Sequence, residues 1–316
     1  MSKIDHSGLQ AVEAERHSAP RSAVGHVVAA LRVPQWSKNT LVFLPVLITH
    51  SFEVAELVAS VIAFFAFCLT ASATYVFNDI CDRDSDRRHN QKRHRVFASE
   101  RLDATTGYAM ILILLFLAAA LASRLPIEFA MVLGAYLVSS VAYTLVFKRM
   151  LGVDVVVIAC LYVMRIVAGD EAIGARFDGL DSSAWILGFS CLLFLSLAIV
   201  KRCSELSLMR EDPTSRMIGR AYRVEDYPVL LAVAAASGMA SIGILMLYLG
   251  SADVTENFSR AQLLWLMVPV LAFWLLRLIL LANRGEIDED PVLFTLRDPK
   301  SQICTLAVVL VALVAW

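Results

Sequence analysis

The sequence predicts an all-α fold, a polytopic bundle of about nine membrane-spanning helices. Hydrophobic residues make up 58% of the 316-residue chain and charged residues 18%, and the mean hydropathy is +0.67. The apolar share exceeds what the core of a soluble domain requires. The apolar residues also come in runs of about 20, the length that crosses a bilayer as a helix, and they do not alternate as barrel strands do.

The apolar runs follow one another along the whole chain. We predict spans near residues 38–52, 54–78, 105–123, 127–147, 152–173, 183–203, 227–250, 261–282 and 301–316. The first run is short and contains Pro45, so we expect it to be tilted, kinked or packed behind other helices.

Basic residues are concentrated in alternate loops. They occur after the second, fourth and sixth spans, whereas residues 170–183 and 251–260 on the other side are richer in acids. Because cytoplasmic loops carry the Lys/Arg excess, we expect a cytoplasmic N-terminus and an external C-terminus. Residues 1–27 lack the apolar core of a signal peptide and are predicted to be a disordered cytoplasmic tail, with one transmembrane domain over 28–316.

An acidic motif lies at the mouth of the second span, in YVFNDICDRDSDRRHNQKRHRV (75–96). Asn78, Asp82 and Asp86 are spaced i, i+4 and i+8, and Asp79 falls on the same helical face. Clustered carboxylates repel, and a hard cation such as Mg²⁺ relieves the repulsion while keeping positions for water and phosphate oxygens. These four residues are therefore predicted magnesium ligands, with Asp82 and Asp86 also catalytic.

The basic residues that follow the motif suit phosphate. Arg88, Lys92 and Arg95 are predicted to bind a diphosphate through charge-assisted hydrogen bonds. The alternative is a solvated loop that sets topology and touches anionic lipid. That alternative does not explain the acids, because topology requires only bases.

A second polar group ends the sixth span. Lys201, Arg202 and Glu205 are interpreted either as a phosphate clamp, with Glu205 holding a base in place, or as a structural ion pair between Lys201 and Glu205 at i, i+4.

Other polar residues are also candidates for substrate binding. Asp154 and Arg165 share a face of one predicted span, where ionisable groups are costly, and Asp154 is the better site candidate because it lies nearer the cytoplasmic end. The remaining candidates are Lys38, Tyr143 and Lys148. Lys38 either binds a lipid phosphate or only extends to the interface. The acids at 288–290 and 298 lack helical register and are interpreted as loop structure.

The pattern Asn78-Asp79-x-x-Asp82-x-x-x-Asp86 resembles the first aspartate-rich motif of the UbiA-type intramembrane prenyltransferase superfamily. The resemblance implies a nine-helix bundle that uses Mg²⁺ to help a diphosphate leave. Residues 31–47, 142–169, 183–206 and 288–301 are similar to the decaprenyl-phosphate phosphoribosyltransferase branch. That branch implies a phosphoribosyl diphosphate donor, a polyprenyl phosphate acceptor, a role in cell-envelope precursor synthesis, and a bacterial inner-membrane location.

The chain departs from the superfamily pattern at two places. Val96 and Glu100 stand where a Pro and a Gly are common, and Lys201-Arg202-x-x-Glu205 replaces a second pair of aspartates. The second departure matches the phosphoribosyl branch. It argues against a second metal-bound prenyl diphosphate.

Three functions follow from these patterns. The first is Mg²⁺-dependent phosphoribosyl transfer to polyprenyl phosphate. The second is transfer of an isoprenoid from its diphosphate to an aromatic or tetrapyrrole acceptor, and the third is a non-catalytic transporter or lipid-binding protein. We expect the membrane as partner and no nucleic acid, and a homo-oligomer stays open.

Overall fold

A computed structural model describes residues 23–48, 52–88, 92–174, 180–207, 209, 220–252, 254, 258–287 and 290–316, with the backbone alone at 180–183. The described residues contain helices and no strand, which confirms the predicted all-α class. Residues 1–22 lie outside the described part, so the disordered tail over 1–27 stays a prediction. Within that predicted tail, the first helix begins at Ala23.

Twelve α-helices are described, with 3-10 turns between several of them. They are α1 (Ala23–Leu31), α2 (Leu44–Ile48), α3 (Val54–Cys81), α4 (Arg83–Arg87), α5 (Ala104–Ala122), α6 (Ile127–Leu145), α7 (Val153–Ile173), α8 (Leu180–Ser207), α9 (Tyr227–Leu249), α10 (Met267–Asn283), α11 (Pro291–Arg297) and α12 (Pro299–Ala315). The 3-10 helices are Val33–Phe43, Lys92–His94, Phe147–Arg149, Val224–Asp226 and Ala261–Leu266.

The count of nine spans is not confirmed. In the described residues, six helices are long and apolar enough to cross a membrane, and a seventh span results if α11 and α12, bent by 85°, are taken together. Helix α7 has 21 residues, but Asp154, Arg165, Asp170 and Glu171 make it too charged to qualify by composition. The first predicted span is instead a 3-10 helix followed by the five residues of α2.

Small residues allow the central helices to pack closely. One buried apolar cluster contains Ala63 and Ala66 of α3, Ala168 and Ala172 of α7, and Val42 of the 3-10 helix. Close approach of this kind is typical of helix contacts in membranes. The outer faces carry exposed apolar side chains such as Leu112 and Phe116, as expected for helices that contact lipid.

Gly169 is the tightest of these contacts. A Cβ added there would lie 2.1 Å from the carbonyl oxygen of Val42, a backbone atom that cannot rotate away. The contact fixes the 3-10 helix that carries Lys38. The absence of a side chain at Gly169 therefore helps to set the position of Lys38.

We expect Gly169→Ala to lower the free energy of unfolding by at least about 2 kcal/mol, because overpacking forces the backbone apart. Gly134→Ala is the matched control, since it is also inside a helix and its Cβ would meet nothing within 4 Å. Thermal unfolding in detergent measures both. Equal midpoints for the two variants would contradict the prediction.

Candidate active site

The acidic motif keeps its helical register across the junction of α3 and α4. The amide of Asp82 donates to the Asn78 carbonyl at 2.9 Å, and the amide of Asp86 donates to the Asp82 carbonyl at 2.8 Å. The carboxylates of Asp79 and Asp86 are therefore brought to one face. Both are buried, at 5% and 4% exposure.

Asp79 and Asp86 converge on one guanidinium nitrogen. Nη1 of Arg95 donates to Asp79 at 3.1 Å and to Asp86 at 2.8 Å. Asp79 also accepts from Arg32, at the end of α1. Burial raises the pKa of Asp86 above its usual value, although Arg95 opposes the shift.

Asp82 has a different partner. Its carboxylate accepts from Nζ of Lys148, which is buried in the 3-10 helix after α6. The pair links the acidic motif to the next basic loop. The three predicted ligand carboxylates are thus all paired with cations, and Asp84, which is off their face, is 76% exposed.

A second cluster surrounds Arg202, whose side chain is fully buried. Nε donates to Asp154 at 2.8 Å, Nη1 to Glu205 at 2.5 Å and Nη2 to the Tyr143 hydroxyl at 3.2 Å. Arg220 donates to the same hydroxyl at 2.9 Å. Four residues predicted as substrate-binding, Tyr143, Asp154, Arg202 and Glu205, therefore form one network.

Lys92 is influenced by charges from both clusters. Its ammonium interacts electrostatically with Asp86 and Arg95 of the first cluster and with Glu205 and Arg220 of the second. Burial lowers the pKa of Lys92, and the nearby Glu205 partly restores it. The described parts of the loops at 79–104 and 201–226 thus both contribute charges that act on Lys92.

Lys201 does not pair with Glu205. It donates to Oδ2 of Asp290 at 2.9 Å, and Nζ of Lys38 donates to the same oxygen at 2.7 Å. The proposed i, i+4 ion pair is wrong because Asp290 supplies a partner from a distant loop. Asp290 is more than loop structure, because it is a buried ion-pair partner. Residues 288 and 289 lie outside the described part.

Burial would raise the pKa of Asp290, but the ammonium groups of Lys201 and Lys38 outweigh it and hold the pKa well below its usual range. The same carboxylate begins α11, since its Oδ1 accepts from the Val292 amide at 3.1 Å. Asp290 therefore connects the start of α11 to α8, through Lys201, and to the 3-10 helix Val33–Phe43, through Lys38.

Two candidates lie apart from these clusters. Arg88 is exposed, and its Nε donates to the Asp84 carbonyl within its own turn at 3.3 Å. Arg165 lies deeper in the bundle, where it donates to Asn39 and Tyr136 at 2.8 and 2.9 Å. Asp154 and Arg165 are predicted to share a helical face, but among the described residues they have no hydrogen-bond partner in common.

Glu100 adopts the left-handed backbone region, with φ of +58°. The resemblance to the UbiA-type superfamily implies a glycine at this position, and glycine reaches that region without strain. Its side chain pairs with Arg87, but both groups are exposed and such pairs contribute little.

We therefore expect Glu100→Gly to be more stable than Glu100→Ala by about 1 kcal/mol, because both variants lose the ion pair and only glycine relieves the strain. Unfolding midpoints in the same detergent give the comparison. A glycine variant no more stable than the alanine variant would rule out backbone strain here.

A model of the UbiA prenyltransferase family matches residues 40–297. The chain belongs to the UbiA prenyltransferase family. As a UbiA protein with several apolar helices, it is an integral membrane transferase.

Relatives at about one-third identity include proteins with and without a named function. The chain is 34% identical to the uncharacterized protein y4nM of Sinorhizobium fredii over 87% of its length but spans only 52% of that relative. It is 33% identical to nodulation protein NoeC of Azorhizobium caulinodans, covering 89% of the chain and 90% of the relative. Decaprenyl-phosphate phosphoribosyltransferase of Corynebacterium glutamicum is 30% identical over 61% of the chain and 58% of the relative.

Solved structures confirm the UbiA fold. A UbiA homolog from Archaeoglobus fulgidus bound to GPP and Mg²⁺ superimposes with a TM-score of 0.66 at 15% identity, covering 90% of this chain and 99% of that one. Digeranylgeranylglyceryl phosphate synthase gives 0.65 at 15% identity, covering 93% and 98%.

Sequence reasoning did not select Arg32, Arg220, Tyr222 or Asp290. Each contacts a predicted residue from a distant part of the chain, as Tyr222 does by donating its hydroxyl to Asp154. Because each partner lies far away along the chain, no local pattern in the sequence identifies it.

Proposed function

We propose that this protein transfers 5-phosphoribose from phosphoribosyl diphosphate to a polyprenyl phosphate and releases diphosphate. The observation that carries the proposal is the basic cluster of Arg202, Arg220 and Lys92 beside the acidic motif. Related prenyltransferases commonly have a second aspartate pair at the place of Lys201 and Arg202. A donor with a 5-phosphate in addition to its diphosphate requires more cations than a prenyl diphosphate does.

The names of several relatives support the same assignment. Besides the C. glutamicum protein, decaprenyl-phosphate phosphoribosyltransferase of Mycolicibacterium smegmatis is 26% identical over 91% of both chains. The match therefore extends over nearly the whole length of a protein with that name.

The acidic motif is suited to magnesium. Two buried carboxylates, Asp79 and Asp86, already converge on one positive nitrogen. In the described residues no three acidic, His or Cys side chains lie close enough together to hold a metal ion by themselves, so water and phosphate oxygens would have to complete the coordination, as is usual for Mg²⁺. The predicted ligands Asn78, Asp79, Asp82 and Asp86 would hold it together with those oxygens, and when bound it would neutralise the departing diphosphate.

The remaining residues bind and orient the donor. Lys92 and Arg95 would donate to its phosphates, and Lys148 would hold Asp82 in place. Glu205 and Asp154 keep the guanidinium of Arg202 fixed in the wall of the site. Fixed cations of this kind stabilise developing negative charge without reorganisation.

The proposed transfer breaks the bond between the anomeric carbon and the diphosphate oxygen and forms a bond to an oxygen of the acceptor phosphate. The electron pair of the broken bond leaves with the diphosphate. Because the acceptor is already anionic, no strong general base is required. Positioning and electrostatics then supply most of the rate.

The test is a direct assay with purified protein, polyprenyl phosphate and labelled phosphoribosyl diphosphate. We expect lipid-linked pentose phosphate to form only with Mg²⁺ present. Consumption of a prenyl diphosphate without this product would overturn the proposal and favour isoprenoid transfer, the chemistry that the ligands of the A. fulgidus homolog suggest.

A further inference from the structure

A second cationic region surrounds Asp290. It contains Lys38 and Lys201, here called the lysine pair, with Asp290 between them and Arg165 deeper in the bundle. Lys38 is 10% exposed, Asp290 9% and Lys201 35%. Nζ of Lys38 and the guanidinium carbon of Arg165 lie 5.7 and 5.2 Å from the centroid of the Tyr162 ring.

Among the described residues, this region has more positive than negative charge. Both lysines donate to the same oxygen of Asp290, and among the described residues no other carboxylate forms an ion pair with either. Arg165 is bonded to the uncharged groups of Asn39, Tyr136 and the Leu161 carbonyl. Buried cations in excess are costly unless an anion joins them.

We propose that the lysine pair binds the phosphomonoester of the lipid acceptor and that Asp290 is the internal anion which this phosphate displaces. A phosphomonoester carries about −1.5 to −2 charge near neutral pH, which matches two ammonium groups better than one carboxylate does. The identity of the lipid rests on the proposed function. The assignment moves Lys201 from general phosphate binding to the acceptor.

The surroundings favour a phosphate attached to a hydrocarbon over free phosphate. Tyr162 stacks on Phe194 with 4.4 Å between ring centroids. Both rings belong to the main apolar cluster, against which Leu41, Leu44 and Leu193 also pack. An anion at Lys38 would therefore have apolar neighbours on the bundle side, as the first isoprene units require.

The donor diphosphate has a separate place. Its proposed site is formed by the acidic motif with Lys92 and Arg95, and none of these residues is bonded to the lysine pair. Two phosphate sites with different residues would allow both substrates to be bound at once. The acceptor oxygen could then attack without a change of site.

Equilibrium binding to the purified full chain tests the site without turnover. The probes are farnesyl phosphate, farnesol and inorganic phosphate in the same detergent. We expect farnesyl phosphate to bind at least about 10-fold more tightly than either of the others, since a charged hydrogen bond contributes enough for such a ratio. If farnesyl phosphate and farnesol bind equally tightly, the lysine pair is not an anion site. If inorganic phosphate binds as tightly as farnesyl phosphate, the ligand of the site is not a lipid.

Variants of the lysine pair locate the site. Lys38→Met and Lys201→Met should each remove the preference for farnesyl phosphate over farnesol, whereas Lys300→Met, the same change at an exposed residue, should keep it. If Lys38→Met does not fold, the more exposed Lys201→Met decides the result. A preference retained in the folded Lys201 variant would overturn the proposal.

Asp290→Asn tests the displaced anion. Because the competing charge is removed, this variant should bind farnesyl phosphate as tightly as the unmodified protein or more tightly. Weaker binding by a folded Asp290→Asn protein would overturn the displacement.

The donor provides a further discrimination. Phosphoribosyl diphosphate with Mg²⁺ should not compete with farnesyl phosphate, and competition would overturn the separation of the two sites. If farnesyl phosphate binds through the lysine pair but no phosphoribose is transferred, the proposed function fails and this site stands. If phosphoribose is transferred but farnesyl phosphate does not bind through the lysine pair, the proposed function stands and this site fails.

Discussion

Asp82→Asn is expected to lower kcat/KM by at least about 100-fold, because a metal-held carboxylate supplies several kcal/mol to the departure of an anionic leaving group. The loss should be accompanied by a higher Mg²⁺ requirement. The measurement is initial rate against Mg²⁺ concentration with purified protein.

Asp84→Asn is the matched control for this experiment. Asp84 lies two residues away in the same acidic stretch, but its side chain is 76% exposed and off the face shared by Asp79 and Asp86. We expect unchanged activity and an unchanged Mg²⁺ requirement. Equal losses in the two variants would show that the whole stretch acts through net charge and would refute a specific role for Asp82.

Arg202→Met is expected to lower the free energy of unfolding by about 3–5 kcal/mol, because it leaves the buried carboxylate of Asp154 without its main partner. Asp154 is fully buried, and Glu205 accepts from Arg202 at 2.5 Å. Chemical or thermal unfolding in detergent gives the change. Activity should fall with it, since the wall of the proposed donor site is lost.

Arg284→Met is the control for removal of an arginine. Arg284 is 65% exposed and lies 3.8 Å from Glu286, so its removal should have little effect. The free energy of unfolding of Arg202→Lys should lie between those of Arg202→Met and Arg284→Met, because an ammonium keeps the charge but cannot reach three acceptors at once. A stability for Arg202→Met within about 1 kcal/mol of the unmodified protein would contradict a buried charge network of that size.

The position of the acidic motif could be predicted from the sequence because helical register is a local property. The spacing of Asp79 and Asp86 brought their carboxylates to one nitrogen, as the 3.6-residue period requires. Alternation of basic loops likewise placed residues 79–104 and 201–226 on the same predicted side of the membrane, and charges from both loops act on Lys92.

Local spacing failed where a distant partner competed. Lys201 and Glu205 are one helical turn apart, yet Lys201 pairs with Asp290 and Glu205 pairs with Arg202. Lys201 and Asp290 are separated by 89 positions. No periodic pattern carries information over that distance.

The sequence by itself determined the membrane class, the helical fold and the face on which the acids of α3 and α4 lie, because hydrophobicity and helical period act between neighbours along the chain. The tertiary structure alone decided which cation holds which acid, since Arg32, Lys38, Lys148 and Asp290 reach their partners only when the helices pack. It also decided that the first predicted span is a 3-10 helix and the short α2. The backbone contact between Gly169 and Val42 holds this segment against α7, and such a contact exists only in the folded bundle.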